Sequence, residues 1–152
     1  PEIIGPYMEQ LLGKLHQLFH SNRRITQEQA VTAVAAVADA GGANFAPYYD
    51  TFMPLLKKVL TISAGRTELR RLRGKVMECI SLIGLSVGRE KFSHDAEQVM
   101  DVLVRTQGRG LDADDPQSFY LMQAYARICR CLQDGFVPFL PYVMPGLLEA
   151  AS

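Results

Sequence analysis

A twelve-residue phrase recurs along this chain and restricts it to an architecture of repeating helices. Residues 45–56 read FAPYYDTFMPLL, residues 92–103 read FSHDAEQVMDVL, and residues 136–147 read FVPFLPYVMPGL. In each copy a Met follows the Phe by eight residues and a Leu follows the Met by three. Met8 and Leu11 keep the second spacing without the Phe, so the methionines at 8, 53, 100 and 144 stand 45, 47 and 44 residues apart. Such a unit cannot bury its own apolar face and must stack on its neighbours, which is the condition of a helical solenoid.

Apolar residues at helical spacing predict seven helices. The first covers residues 3–19, with Leu11, Leu12, Leu15, Leu18 and Phe19 on one side. A second is expected to be capped by Thr26, with Gln29 reaching back, and to end at Gly41-Gly42, where glycine accepts a left-handed terminus cheaply. The third carries the first full phrase, with Pro47 in its first turn and Pro54 as an internal bend. Thr67 is expected to cap the fourth, whose stripe is Leu69, Leu72, Val76, Cys79, Ile80, Ile83 and Val87. Ser93 is expected to cap the fifth, and Asp115-Pro116 starts the sixth as an acidic cap followed by proline. The sixth presents Phe119, Met122, Ala126, Cys129 and Leu132 as its core stripe, and Gly135 turns the chain into the seventh.

No stretch shows the period-two alternation of a strand. The reading is an all-α superhelix, divided as an orphan B helix at 3–20 and three A/B pairs at 26–63, 67–107 and 115–151, with the phrase on each B helix. Two-helix units of about 40–47 residues are of HEAT type, against about 34 for tetratricopeptide and about 33 for ankyrin units. A first residue other than Met and a last helix running to residue 151 suggest a piece of a longer solenoid. Apolar surface left at the two ends is then expected to give self-association or crystal contacts through one of them.

Hydrophobic residues at 48% and charged residues at 21% describe a chain that folds rather than one that stays disordered. Sixteen basic residues balance sixteen acidic ones, so net charge points to no polyanionic or polycationic partner. No apolar run reaches the roughly 18–20 residues of a membrane span, and no leader is visible at the start. Three cysteines without a regular framework read as reduced thiols, as in the cytosol or nucleus.

No constellation of catalytic or metal-ligating residues emerges. Cys129 and Cys131 diverge by about 200° on a helix and cannot clasp one ion. His16 and His20 have a metal-compatible spacing but lack a third ligand, and His94 reads as an exposed residue. The polar connection at 108–115, GRGLDADD, lacks the lysine and hydroxyl of a phosphate loop and the spaced ligands of a calcium loop. One basic cluster stands out: Arg66, Arg70 and Arg73, four and three apart, share a face, with Arg71 and Lys75 nearby. It reads either as a solvated face or arginines packed between repeats, or as a site for an acidic partner or phosphate backbone. With no aromatic ladder beside it, nucleic acid is not expected.

The Phe, Met and Leu of the phrase read as core. Positions five, nine and thirteen after each Phe form a ridge facing the other way: Asp50, Pro54 and Lys58; Glu97, Asp101 and Arg105; Pro141, Pro145 and Glu149. Stacked B helices align such ridges into a continuous surface, so Asp50, Lys58, Glu97, Asp101, Arg105 and Glu149 are the candidate partner-binding residues.

Residues 72–100, LRGKVMECISLIGLSVGREKFSHDAEQVM, closely resemble the central HEAT repeats of karyopherin-beta nuclear transport receptors of the importin beta-3 type. Residues 37–60, 118–132 and 136–152 are similar as well, so the resemblance runs from about residue 27 to the end. Its most specific part is RGK-x-x-ECISLIGL-x-VG-x-EKF. It implies a non-enzymatic receptor, moving between cytoplasm and nucleus through the nuclear pore. Such a receptor binds cargo carrying basic localisation signals, touches Phe-Gly nucleoporins and releases cargo on binding Ran-GTP. It also implies A helices on the convex face and B helices on the concave one. On that arrangement Asp50, Glu97 and Asp101 would meet lysine- or arginine-rich signals. It implies no catalytic residue, cofactor, metal or membrane contact. The alternative is a HEAT-repeat scaffold for assembly of another complex.

Overall fold

A computed structural model describes residues 5–111 and 114–151; the expected helix start at Ile3, and Asp112 and Ala113 of the polar connection, lie outside the described residues. The described residues form an all-α solenoid without strands. Its helices are α1 (Gly5–Phe19), α2 (Arg24–Gly41), α3 (Tyr49–Ile62), α4 (Arg70–Val87), α5 (Arg89–Gly108), α6 (Pro116–Leu132) and α7 (Leu140–Ala151). They are not seven separate pieces. 3-10 turns at Gly42–Tyr48 and Gln133–Phe139 carry α2 into α3 and α6 into α7 with no intervening loop, so the described chain runs as five helical stretches.

Both of those turns begin on a left-handed residue three positions before the Phe of the phrase: Gly42 at φ 55° and Gln133 at φ 52°. Glycine adopts that conformation without a steric penalty, whereas Gln133 adopts it against one. The last reversal therefore sits at Gln133, not at Gly135 as the sequence suggested. The expected caps differ too. α2 begins at Arg24, which leaves Thr26 inside it. Thr67 opens a 3-10 turn ahead of α4. Ser93 lies within α5, where its hydroxyl donates back to the Glu90 carbonyl at 2.9 Å. Asp115 does cap α6, accepting from the Gln117 amide at 2.9 Å with Pro116 at the first helical position.

The phrase is core in its first two full copies. Phe45, Met53 and Leu56, and likewise Phe92, Met100 and Leu103, are buried. Each such side chain contributes about 1.5–3 kcal/mol by leaving water. In the third copy Phe136 is buried, but Met144 is exposed and the buried side chain beside it is Val143. On α1 the partner of Met8 is Leu12, while Leu11 is exposed.

The stack has two layers of different spacing. α2, α4 and α6 pack directly on one another, while α3, α5 and α7 touch only sparingly. Side-chain size accounts for the difference, since the distance between helix axes follows the residues at the contact. The close layer is built on small buried residues: Ala30, Ala35 and Ala38 of α2, Gly74 of α4, and Ala124 of α6. The wide layer carries large buried residues, Phe52, Met53, Phe92 and Met100. A stack with one layer closer-spaced curves toward that layer. α2, α4 and α6 therefore lie on its inner side.

The close approach of α4 and α6 also sets the rotation of α6. Its buried residues are Leu121, Ala124, Tyr125, Ile128, Cys131 and Leu132. Phe119, Ala126 and Cys129, expected in the core stripe, are exposed, and Met122 is half-buried. α6 is apolar on two sides, and the side it turns to α4 lays the Tyr120 ring over Gly74.

Candidate functional site

Every member of the ridge at offsets five, nine and thirteen is exposed: Asp50, Pro54, Lys58, Glu97, Asp101, Arg105, Pro141, Pro145 and Glu149. The ridge runs along α3, α5 and α7, the wider-spaced layer, which puts it on the outer side of the curve. The concave placement implied by the resemblance is thus not the one these helices take. Within the ridge Asp101 pairs with Arg105 at 3.1 Å, and Asp50 with Lys91 at 3.4 Å. Both pairs are solvent-screened and of small energetic weight.

Between α5 and α7 the wide spacing leaves a groove of about 560 Å³. Glu97 and Asp101, one turn apart on α5, form one wall, and Phe139 and Tyr142 of the next unit form the other. Carboxylates facing aromatic rings suit a lysine or arginine side chain, which gains charge pairing on one side and a ring face on the other. Sequence reasoning found the acids but not the aromatic wall. Phe139 and Tyr142 lie on a different copy of the phrase, at offsets three and six, and only stacking brings them opposite the acids.

The basic cluster is not a single face. Arg73 is 3% exposed. Its Nη1 donates to the Leu60 carbonyl and, at 3.1 Å, to Ser63 Oγ, while its Nη2 donates to Thr106 Oγ1 at 2.5 Å. One guanidinium thus ties the end of α3 and the last turns of α5 to α4. Burial, and then the neighbouring Arg109 charge, hold Arg73 below the ordinary arginine range. Arg66 and Arg70 remain exposed, with Arg66 Nε 2.9 Å from Glu68 Oε1. Arg109 joins this group across the adjacent connection, a residue the sequence reading left out. Its distance from Arg66, close to one repeat length, was the available signal.

The remaining candidates are dispersed. Cys79 and Cys131 are buried and Cys129 is exposed, all as free thiols. The Cys131 thiol donates to the Gly84 carbonyl at 3.2 Å. His16 and His20 lie edge-to-face with ring centroids 4.9 Å apart. Among the described residues no group of three or more His, Cys, Asp or Glu is arranged to hold a metal ion, and no helix is long and apolar enough to cross a membrane. The close layer is cross-tied by polar rungs between successive units: Glu28 to Arg71 at 3.8 Å, Lys75 to Thr32 at 3.0 Å, and Arg127 to Ser81 at 3.4 Å.

Two-helix units at a 44–47-residue interval, polar rungs on the inner layer and a charged ridge on the outer one define an α-solenoid of the kind that works through extended surfaces. A family model described as importin subunit beta-1-like, TPR repeats, matches residues 2–127. The importin subunit beta-3 of Saccharomyces cerevisiae is 45% identical over 151 residues, covering 99% of this chain and 14% of that protein. Crystal structures of Kap121p superpose well. The complex with Pho4p is 44% identical, with a TM-score of 0.86 over 97% of this chain and 13% of that one. The complex with RanGTP is also 44% identical, with a TM-score of 0.81 over 97% of this chain and 14% of that one. The chain belongs to the importin beta family, and it spans about one seventh of the length of these relatives.

Proposed function

We propose that the chain is a segment of a non-enzymatic nuclear import receptor and contributes protein-binding surface to Ran-regulated transport between cytoplasm and nucleus. The observation that carries the reading is the superposition, over 97% of the chain, on a receptor crystallised with Pho4p. A relative solved with RanGTP supports the regulated step. The partners are cargo proteins with basic localisation signals, Ran-GTP and Phe-Gly nucleoporins. The mechanism is flexing: repeats held closely along α2, α4 and α6 open or close along the looser α3, α5 and α7 layer, so that many small contacts form or break without a reaction.

Within this reading the acidic members of the ridge, Asp50, Glu97 and Asp101, meet the basic residues of cargo, with Lys58, Arg105 and Glu149 setting register along the helices. The groove between Glu97 and Asp101 on one wall and Phe139 and Tyr142 on the other supports it best. The deciding experiment retains a basic-signal cargo on the full-length receptor with and without Ran-GTP. Retention without Ran-GTP and release with it is the expected pattern. Failure to retain the cargo in either condition overturns the receptor reading.

A further inference from the structure

Where the α3–α4 and α5–α6 connections lie side by side, they leave a small pocket of about 140 Å³ that opens to solvent. Arg66 reaches it from the first connection, Arg109 from the second, and Arg70 and the buried Arg73 from α4. Against these four cations the described lining carries one carboxylate, Asp115, whose oxygens already accept from Gln117. Arg66 is partly engaged by Glu68, but among the described residues neither Arg70 nor Arg109 has an ion pair or a side-chain hydrogen bond. Arg109 lies directly over the backbone, with Nη1 3.0 Å from where a side chain at Gly65 would begin. Gly65 has φ 75°, a conformation suited to glycine, so this turn leaves room for the guanidinium.

Guanidinium groups gathered around one small pocket, with the buried Arg73 at its floor, repel one another unless an anion neutralises them. Their planar forks match the oxygens of a tetrahedral oxyanion, which they hold bidentately. The Thr67 hydroxyl in the same wall can donate to such a group, whereas that of Thr106 already donates to the Val102 carbonyl and accepts from Arg73. Pockets for whole organic ligands run to about 300–1,000 Å³, so this one takes one small group and not a nucleotide.

We propose that this pocket is a binding site for a single phosphate-class oxyanion, either the phosphoryl group of a phosphorylated serine or threonine on a bound protein or free inorganic phosphate. The proposal is independent of the transport reading, because it requires neither cargo nor Ran.

Calorimetric titration of the full chain at fixed ionic strength tests it, using inorganic phosphate, a short phosphoserine peptide and the same peptide unphosphorylated. Both phosphate-bearing ligands are expected to bind one per chain and the unphosphorylated peptide not to bind. The double variant Arg70→Gln/Arg109→Gln should weaken binding by about tenfold or more with an unchanged thermal melt. Arg73 is left intact because it also holds α3 and α5 to α4. If the double variant melts lower, the exposed single variant Arg109→Gln supplies the same comparison at about threefold. A phosphopeptide about tenfold tighter than inorganic phosphate assigns the site to a partner's phosphorylated side chain, and equal affinities assign it to free phosphate. No phosphate-dependent heat, or arginine variants that bind as the wild type does, overturns the proposal.

Discussion

Tyr49 and Asp95 meet across the boundary between α3 and α5, the phenol donating to Asp95 Oδ2 at 2.5 Å. Lys57, two turns further along α3, places Nζ 2.5 Å from the other oxygen of the same carboxylate and also donates to Gln98 at 3.0 Å. One aspartate thereby gathers two groups from the preceding unit. α3 and α5 otherwise touch sparingly, so this clasp fixes how the wide layer of one unit sits on the next. Burial works against the Asp95 charge, but the hydrogen bonds from Lys57 and Tyr49 outweigh it and hold the carboxyl below the usual aspartate range. The Tyr49 phenol is pushed up, by burial first and by Asp95 next.

Asp95→Asn should lower stability by about 2 kcal/mol, the scale of hydrogen bonds to a charged group, read from the urea midpoint at pH 7. The pH dependence has a definite sign. A carboxyl with a lowered folded pKa stabilises fully above its unfolded value of about 3.9, and that contribution is lost as pH falls through the folded value. Asp95→Asn should therefore narrow the gap to wild type on acidification. An equal gap at pH 7 and pH 3 would show that the clasp does not depend on the charge.

Gly74→Ala tests the close layer. A Cβ at this position would overlap the ring of Tyr120 on α6. Alanine is ordinarily the better helix former by roughly 1 kcal/mol, so an exposed glycine would gain from this change. Here a net loss of about 1–2 kcal/mol is expected, because overpacking outweighs propensity. Adding Tyr120→Ala should recover part of the loss by making room. A Gly74→Ala chain as stable as wild type would mean that α4 and α6 tolerate a wider spacing.

Thiol reactivity separates the cysteines. Cys129 is exposed, whereas Cys79 and Cys131 are buried and burial raises both their thiol pKa values. A thiol reagent at mildly alkaline pH should modify one cysteine quickly in the folded chain, and peptide mapping should locate it at Cys129. The other two should follow only on unfolding.

On the proposed receptor reading, charge reversal at Glu97 and Asp101 in the full-length protein should weaken binding of a basic-signal cargo by about tenfold or more, through both lost attraction and new repulsion. Unchanged affinity in a direct binding assay would exclude the outer ridge as the cargo site.

Some of this was legible in the residues. A Phe, a Met and a Leu at constant spacing must point the same way on a helix, so their recurrence identified the buried side of α3 and α5 without coordinates. Asp115-Pro116 was legible for a similar reason, since a cap and the first turn it serves are adjacent in the chain. Thr26, Thr67 and Ser93 were less so. Each has the chemistry of a cap, but a helix can begin earlier when stacking favours more turns, and α2 and α5 do. The stripe of α6 was misread because Phe119, Met122 and Cys129 are as apolar as Leu121, Ile128 and Cys131, and composition cannot rank two apolar sides of one helix.

The period and its pattern determine that the chain is a stack of two-helix units and which side of each phrase is hidden, because both follow from spacing along one helix. Tertiary structure alone decides what depends on distances between helices. It places α2, α4 and α6 on the inner side through their small residues, and it buries Arg73 while leaving Arg66 and Arg70 in solvent. It also brings Arg109 beside them and sets Phe139 and Tyr142 opposite Glu97 and Asp101. Those pairs lie about one repeat apart, and their meeting depends on how closely and at what rotation one unit packs on the next.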